Sequence, residues 1–278
     1  GNPYALDAVF ALADAEHGRA RVIFNGDFHW FDADTTLFLD IDRRVMRHDA
    51  MRGNVETELA SSGSDAGCGC GYPDWVGDDE VQRSNRILQD LSRVASCIPG
   101  VASRYGALPM HLTAQVGEAR VAIFHGDAES LAGWAFSQEN LVSAGRQATV
   151  LLGKVAADIV ACTHTCLPVA QQFAGAHGAT CLFNNGAGGM PNFAGDLRGL
   201  VTRVALNASP LALYGAMVKG VHVEAIPVDS GGAAWLSRFD ELWPAESLAS
   251  LSYRRRIEAG PDYRLAQAVR AGIRLLVE

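Results

Sequence analysis

The chain has no apolar run near the roughly 20 residues needed to span a bilayer. Its first residues, "GNPYALDAVF", set no basic stretch ahead of an apolar one, so neither a membrane span nor a secretory leader is read from it. Basic residues are in deficit: 23 Lys and Arg stand against 31 Asp and Glu, a net charge of −8. That balance argues against nucleic-acid polymers and anionic membranes as partners. It leaves room for a small anionic substrate wherever bound cations supply positive charge. Cysteine is scarce, at 6 in 278 residues. In a chain of this length without a leader, it predicts reduced thiols and a cytoplasmic setting, not a disulfide framework. Cys68 and Cys70 of "GCGCG" lack a second pair at zinc-like spacing, which weakens a metal reading of that loop. A dinucleotide fingerprint is missing as well. "NNGAGGMPN" is not G-x-G-x-x-G, and Pro191 falls where that motif needs a closely packed helix, which sets a Rossmann oxidoreductase aside. No internal repeat or clear linker divides the chain.

What is present is an alternation of helical and strand-like segments, which predicts an α/β domain. Leu6, Val9, Phe10 and Ala13 mark a first helix, and "RVIF" marks a strand that stops at Asn25-Gly26-Asp27. The stretch 35–54 is ambiguous between strand and helix. Ile87, Leu88, Leu91, Val94 and Ala95 share one helical face, with Asp78 or Asp79 as caps. "LPMHLTAQVGEARVAIFHGD" reads as a hairpin with a Gly-Glu turn. A helix and the strand "DIVAC" follow, then a strand running into a Gly-rich loop, and then a meander over "TRVALNA", "LALYGAMVKG" and "VHVEAIPVD". From about Ser230 the chain reads as helical and polar. The division predicted is one domain over 1–229, with a 59–120 insertion that caps the site or runs over the surface, and a helical C-terminal tail over 230–278 packed on that domain.

Four junctions set a turn former beside a metal-competent side chain: Gly26-Asp27, Gly53-Asn54, His125-Gly126 and Thr163-His164. Loops at strand ends converge in α/β folds, and glycine lets backbones approach closely. Asp, Asn and two His form a mixed oxygen and nitrogen donor set suited to Mn, Fe or Zn. Singly, an Asp in an Asn-Gly-Asp turn is a turn former, and His125 or His164 is a half-buried histidine; their joint order carries the signal.

That order, GD…GN…HGD…HTxxP, resembles the calcineurin-like metallophosphoesterase superfamily over roughly residues 1–193, with the closest parallels in its small bacterial members. Gly26-Asp27 with Asp32 is similar to the second family block, "MRGNVE" to the third, "FHGD" to the fourth and "THTCLP" to the fifth. "FNNGAGGMPNF" is similar to the family's Asn-Pro-Gly-Ser-x-Gly loop. The resemblance implies a four-layer αββα sandwich of two mixed β-sheets flanked by helices, two divalent transition-metal ions (Mn, Fe, Zn or Ni), and hydrolysis of a small phosphomonoester or phosphodiester by a metal-activated water. It implies that Asp27, Asn54 and His125 are catalytic, and that Asp27, Asn54, His125, His164 and Cys166 are ligands, with Asp27 bridging the two ions. Asn54, Asn185 and Gly186 would bind substrate.

The sequence departs from the family pattern in three places. The family's opening Asp-x-His block is not matched. The chain starts at Gly1-Asn2, just past that block, and a preceding strand of five or six residues is expected at the centre of a sheet. Cys166 stands where the fifth block has its second histidine. Both departures fall on the first metal. Val55 follows Asn54 where many members have a histidine that protonates the leaving group, so Glu56, His29 or a metal-bound water are left as donors. The alternative reading is a non-catalytic relative with an incomplete metal site, acting in binding or regulation. Arg254 to Arg256 reads first as a solvated face and second as a phosphate-gripping patch. Trp75, Trp134 and Trp235 read as packing residues. His17, His48, His111, His177 and His222 show no pattern, and the oligomeric state, a homodimer included, stays open.

Overall fold

The computed structural model describes residues 1–277 except 17, 19, 62–66, 143–145 and 176–177. His17 and His177, and part of the Gly/Ser loop after Ser61, therefore lie outside the described residues.

Chain order is helix α1 (Pro3–Asp14), strand β1 (Ile23–Asn25), α2 (Thr35–Val45), β2 (Asp49–Met51), α3 (Asn54–Ala60), α4 (Asp78–Ser96), α5 (Val101–Gly106), β3 (His111–Val116) and β4 (Ala119–Phe124). Then come α6 (Gln138–Val142), α7 (Arg146–Lys154), β5 (Ile159–Cys162), β6 (Pro168–Gly175), β7 (Gly178–Asn185), β8 (Gly199–Ala205), β9 (Tyr214–Val218) and β10 (Val221–Val228). The chain closes with α8 (Gly232–Leu242), α9 (Leu248–Ala259), α10 (Leu265–Ala268) and β11 (Arg274–Leu275). No helix among the described residues is long and apolar enough to cross a membrane.

The larger sheet has five strands in the order β3-β4-β5-β7-β6 and is mixed. Its centre, β4-β5-β7, is parallel, and antiparallel strands flank it on both edges. β5 and β7 are near-continuous apolar runs because both of their faces are covered. The second sheet layer is split into an antiparallel four-stranded sheet, β11-β9-β10-β8, and the parallel pair β1-β2. One apolar core joins Val121, Ile159 and Phe183 of the first layer to Tyr214, Val223 and Met51 of the second. A second core packs Leu151 and Leu152 of α7 on Val160 and Leu182, on the outer face of the five-stranded sheet. A third is largely helical, gathering Phe38, Ile41, Leu91, Trp235 and Phe239. Two sheet layers between helices give the αββα sandwich.

The ambiguous stretch after Thr35 resolves into α2 followed by β2. Asp34 caps α2 by accepting from Leu37 N at 2.9 Å, and that local hydrogen bond outweighs the β-branched start. Asp78 and Asp79 lie inside the first turn of α4, with Gly77 as its cap, so they complement the helix dipole and do not cap it. The sequence reading passed over β6, whose "PVAQQFAG" follows the fifth block directly. The predicted helical tail also ends in a strand, since β11 pairs with β9 and closes one edge of the four-stranded sheet. Within 59–120, β3 is an edge strand of the main sheet and so no part of a cap. Contrary to the cysteine reading, Cys68 and Cys70 form a disulfide, which takes away one support for a reducing compartment. Among the described residues the β1-β2 pair shares no strand ladder with either larger sheet. A cavity of about 1320 Å³ is lined by β1 on one side, by β8 on another, and by the four junction residues.

Candidate metal centre

Each junction residue is fixed by its own turn. Gly26 (φ +79°) and Asp27 (φ +54°) are both left-handed, a region open to glycine and tolerated by aspartate. Gly26 and Gly53 touch. A β-carbon on Gly26 would lie 2.3 Å from Gly53 N, and one on Gly53 would lie 2.2 Å from Asp27 Oδ1, so any side chain there would separate the two turns. Glu56, fully buried, ties them from beneath: its Oε2 accepts from Asp27 N at 2.7 Å and from Gly53 N at 2.9 Å. As the third residue of α3 it forms half of a capping box, with the second bond reaching a neighbouring turn. Val55 N donates to Asp27 Oδ1 at 2.9 Å. Asn54 donates from Nδ2 to Cys68 O at 2.9 Å, which aims its Oδ1 at His125. His125 follows β4 and His164 follows β5, adjacent parallel strands whose ends place the two rings 5.0 Å apart.

The donors converge on His125 Nε2. Asp27 Oδ2 and Asn54 Oδ1 each lie 3.1 Å from it, and His164 Nδ1 lies at 3.2 Å. The other nitrogen of each ring faces a carbonyl: His125 Nδ1 faces Asn25 O at 2.7 Å, and His164 Nε2 faces Cys70 O at 2.9 Å. A carbonyl only accepts, so those nitrogens carry the protons, and the neutral tautomers turn lone pairs inward. Four lone pairs then face one another in a largely buried space, which is repulsive unless a cation sits among them. The titration directions agree. Burial works against charge on His125, but the Asp27 carboxylate outweighs it and pushes the imidazole up. Burial likewise works against the Asp27 charge, and His125 outweighs it, holding the carboxyl down. Burial and then His125 push His164 down to about 4. The directions favour a proton at His125 Nε2 beside Asp27, the position where a metal ion would compete with it. Asp27, His125 and His164 offer ligand atoms within 4.8 Å of one another, and this donor set fits a divalent transition ion.

Of the residues singled out in the sequence, Asp27, Asn54, His125 and His164 are brought together. Cys166 is not. Its Sγ donates to His164 O at 3.4 Å, burial pushes the thiol up against the pull of the Arg256 guanidinium, and the sulfur is not among the clustered ligand atoms. Asn185 and Gly186 line the cavity, but the Asn185 amide donates to Leu200 O and Gly186 N donates to Asn184 Oδ1. These bonds shape the loop; the Gly186 amide is spent, while the Asn185 NH2 keeps a second N–H. His29 is also removed as a proton donor. It is fully buried, with Nδ1 2.7 Å from Asp32 and Nε2 2.5 Å from Tyr105 Oη, and it stacks on Phe38. Asp32 serves that network and not the metal centre. Glu56 spends Oε2 on two backbone amides, while its buried Oε1 has no partner among the described residues.

The sequence reading missed the residues that orient the ligands. Asn25 O, Cys68 O and Cys70 O act through their backbones, which no side-chain pattern reveals. Trp134, read as packing, bonds to Cys70 O through Nε1 at 3.0 Å and lies edge-on to His164. The one available signal was the left-handed Gly69 and Gly71 around Cys70.

Glu56 yields a prediction. Glu56→Ala strands two buried amides and should destabilise the fold by roughly 2–4 kcal/mol, whereas Glu56→Gln keeps an acceptor and should be near neutral. Burial and then Asp27 push the Glu56 carboxyl up. A raised acid stabilises the fold at low pH, and that contribution fades as pH rises through the folded value. Wild type should therefore lose stability relative to Glu56→Gln as pH climbs above the ordinary carboxyl range. Chemical denaturation of both variants across pH checks this, and a flat difference would refute it.

No family model matches the chain, and a search of curated proteins returns no match. Solved structures do match. A crystal structure of a metallophosphoesterase from Sphaerobacter thermophilus superposes with a TM-score of 0.57 at 17% identity, covering 94% of this chain and 95% of that one. The crystal structure of hypothetical protein PH1004 from Pyrococcus horikoshii OT3 gives a TM-score of 0.55 at 13% identity, covering 94% and 93%. At such identities the likeness establishes architecture, and the chain has the fold of a metallophosphoesterase.

Proposed function

We propose that this chain is a metal-dependent phosphoesterase that hydrolyses a small phosphorylated substrate, a phosphomonoester or phosphodiester. One observation carries the reading: the inward-facing lone pairs of Asp27, Asn54, His125 and His164 at the end of one cavity. Those residues would hold a divalent transition ion, which supplies Lewis acidity toward phosphoryl oxygens and a water nucleophile at neutral pH. The chain's own contribution is to aim the His125 and His164 rings, through the carbonyls of Asn25 and Cys70, and to keep the Asp27 carboxyl ionised. The resemblance implies two ions. Among the described residues the gathered donors suffice for one, and Cys166 does not join them.

A second reading, a metal-binding protein that acts through a partner, is favoured by that single donor group. Elemental analysis of protein purified without chelator, paired with hydrolysis of p-nitrophenyl phosphate and bis(p-nitrophenyl) phosphate, separates the two. The expected result is at least one transition ion per chain, with turnover that a chelator removes and Mn or Zn restores. Bound metal without turnover would select the second reading, and protein that binds no metal would overturn both.

A further inference from the structure

The run Arg254-Arg255-Arg256 on α9 divides in the structure. Arg254 faces outward and pairs with Asp240 and Glu258. Arg256 turns inward, partly buried, and lines the same cavity as Asp27, Asn54, His125 and His164. Its Nε donates to Pro191 O at 2.9 Å and its Nη2 donates to Cys166 O at 2.7 Å. It thus grips the Gly-rich loop and the turn that carries His164, two residues from Cys166. Both partners are neutral carbonyls. Among the described residues no carboxylate pairs with Arg256, and Nη1 has no acceptor. Guanidinium stays charged at all ordinary pH. In a chain of net charge −8 carboxylates are plentiful, yet the two groups this guanidinium bonds are carbonyls. Its position on the cavity wall, with one edge fixed and one edge free, suits a fork held ready for an oxyanion.

We propose that Arg256 binds the phosphoryl group of the substrate through its free Nη1 edge, in the cavity it shares with Asp27, Asn54, His125 and His164, and that the preferred substrate is a phosphomonoester dianion. This rests on the phosphoesterase reading above. A monoester offers three non-bridging oxygens and two negative charges, enough to be shared between a metal centre and a separate cation. A diester offers two oxygens and one charge. Arg256 therefore discriminates by charge, and the apolar walls of the cavity receive the remainder of the molecule. Its bonds to Pro191 and Cys166 hold the guanidinium in place before substrate arrives, so little ordering is left for binding to accomplish.

The test compares Arg256→Gln, which keeps an amide donor for the loop carbonyls but no charge, with Arg256→Lys and with Arg254→Gln as a control on the outer face. Inorganic phosphate is titrated into metal-loaded protein, and kcat/KM is measured for p-nitrophenyl phosphate and its bis ester. Arg256→Gln should weaken phosphate binding roughly 10- to 100-fold and lower monoester kcat/KM at least 10-fold more than diester kcat/KM. Arg256→Lys should recover part of the loss, and Arg254→Gln should bind phosphate like wild type. Equal losses on both esters, or unchanged phosphate affinity, would overturn the proposal. If Arg256→Gln does not fold, 15N-arginine NMR of wild type decides: a guanidinium signal absent from Arg256→Lys should shift on adding phosphate, and a static one refutes the contact. Phosphate binding through Arg256 without any turnover would sink the esterase reading while leaving Arg256 as an anion site.

Discussion

Asp27→Asn should leave a folded protein with no measurable phosphoester hydrolysis and with metal affinity reduced at least about 100-fold. Even the outer partners of metal ligands are worth 10- to 100-fold, and this substitution removes the one charged donor in the group. The fold should survive for local reasons. Asparagine tolerates the left-handed backbone at φ +54°, its amide oxygen can still accept from Val55 N, and its Nδ2 can donate to the inward lone pair of His125. Removing the carboxylate also removes what holds the His125 proton, so the imidazole pKa should fall. Elemental analysis, hydrolysis assays and 15N NMR of the histidine rings check the three claims. Wild-type turnover in Asp27→Asn would refute the mechanism, and loss of the folded state would refute the account of the turn.

Gly53→Ala should do more structural damage than its size suggests. The new methyl would lie 2.2 Å from Asp27 Oδ1, 2.7 Å from His125 Cε1 and 2.8 Å from Asp27 N. None of these is the loose end of a flexible side chain. One oxygen is bonded to Val55, the imidazole is bonded to Asn25 O, and the amide is bonded to Glu56. The backbone at Gly53 has φ −93°, which alanine adopts freely, so the effect is steric contact and not conformational restriction. Overpacking of this kind costs roughly 1–3 kcal/mol, a fall in Tm of several degrees for a domain of this size. Metal content should fall with it, because Asp27 and His125 are pushed apart together. Differential scanning calorimetry with and without added Zn reads both effects. An alanine variant with wild-type Tm and metal content would show that the turns are not in contact.

The four gathered residues were legible because three of them sit where a strand pattern breaks into a turn, and because chemistry-bearing residue types recur at all four junctions in a fixed order. The hairpin β3-β4 was legible for the same reason: alternating exposure in β3 and a glycine at the turn leave little choice of register. What stayed hidden falls into two kinds. Some interactions run through the backbone, such as the Cys70 carbonyl that fixes His164, and backbone groups carry no residue-specific mark. Others depend on which way a side chain turns. Cys166 stands at a ligand's place in the sequence, but its left-handed backbone (φ +60°) and its bond to His164 O put the sulfur elsewhere. His29 lies two residues from a ligand and faces the opposite side, into a buried network with Asp32, Tyr105 and Asp42. Arg256 is the converse case, one of three consecutive arginines that sequence cannot tell apart and that helix geometry separates.

The separation of β1-β2 from both larger sheets bears on how firmly each half of the centre is held. His125 and His164 hang from the parallel heart of a five-stranded sheet, whose opening requires loss of the inter-sheet core. Asp27 and Asn54 hang from a three-residue ladder paired only with itself and joined to the larger sheet near the site by few bonds, among them Asn25 Nδ2 to Phe124 O and His125 Nδ1 to Asn25 O. With so short a ladder, the half carrying Asp27 and Asn54 is expected to open at lower free energy than the half carrying His125 and His164. A cation gripped by all four side chains would act as a clasp between them, so that the looser half borrows the stability of the firmer one for as long as the ion stays bound.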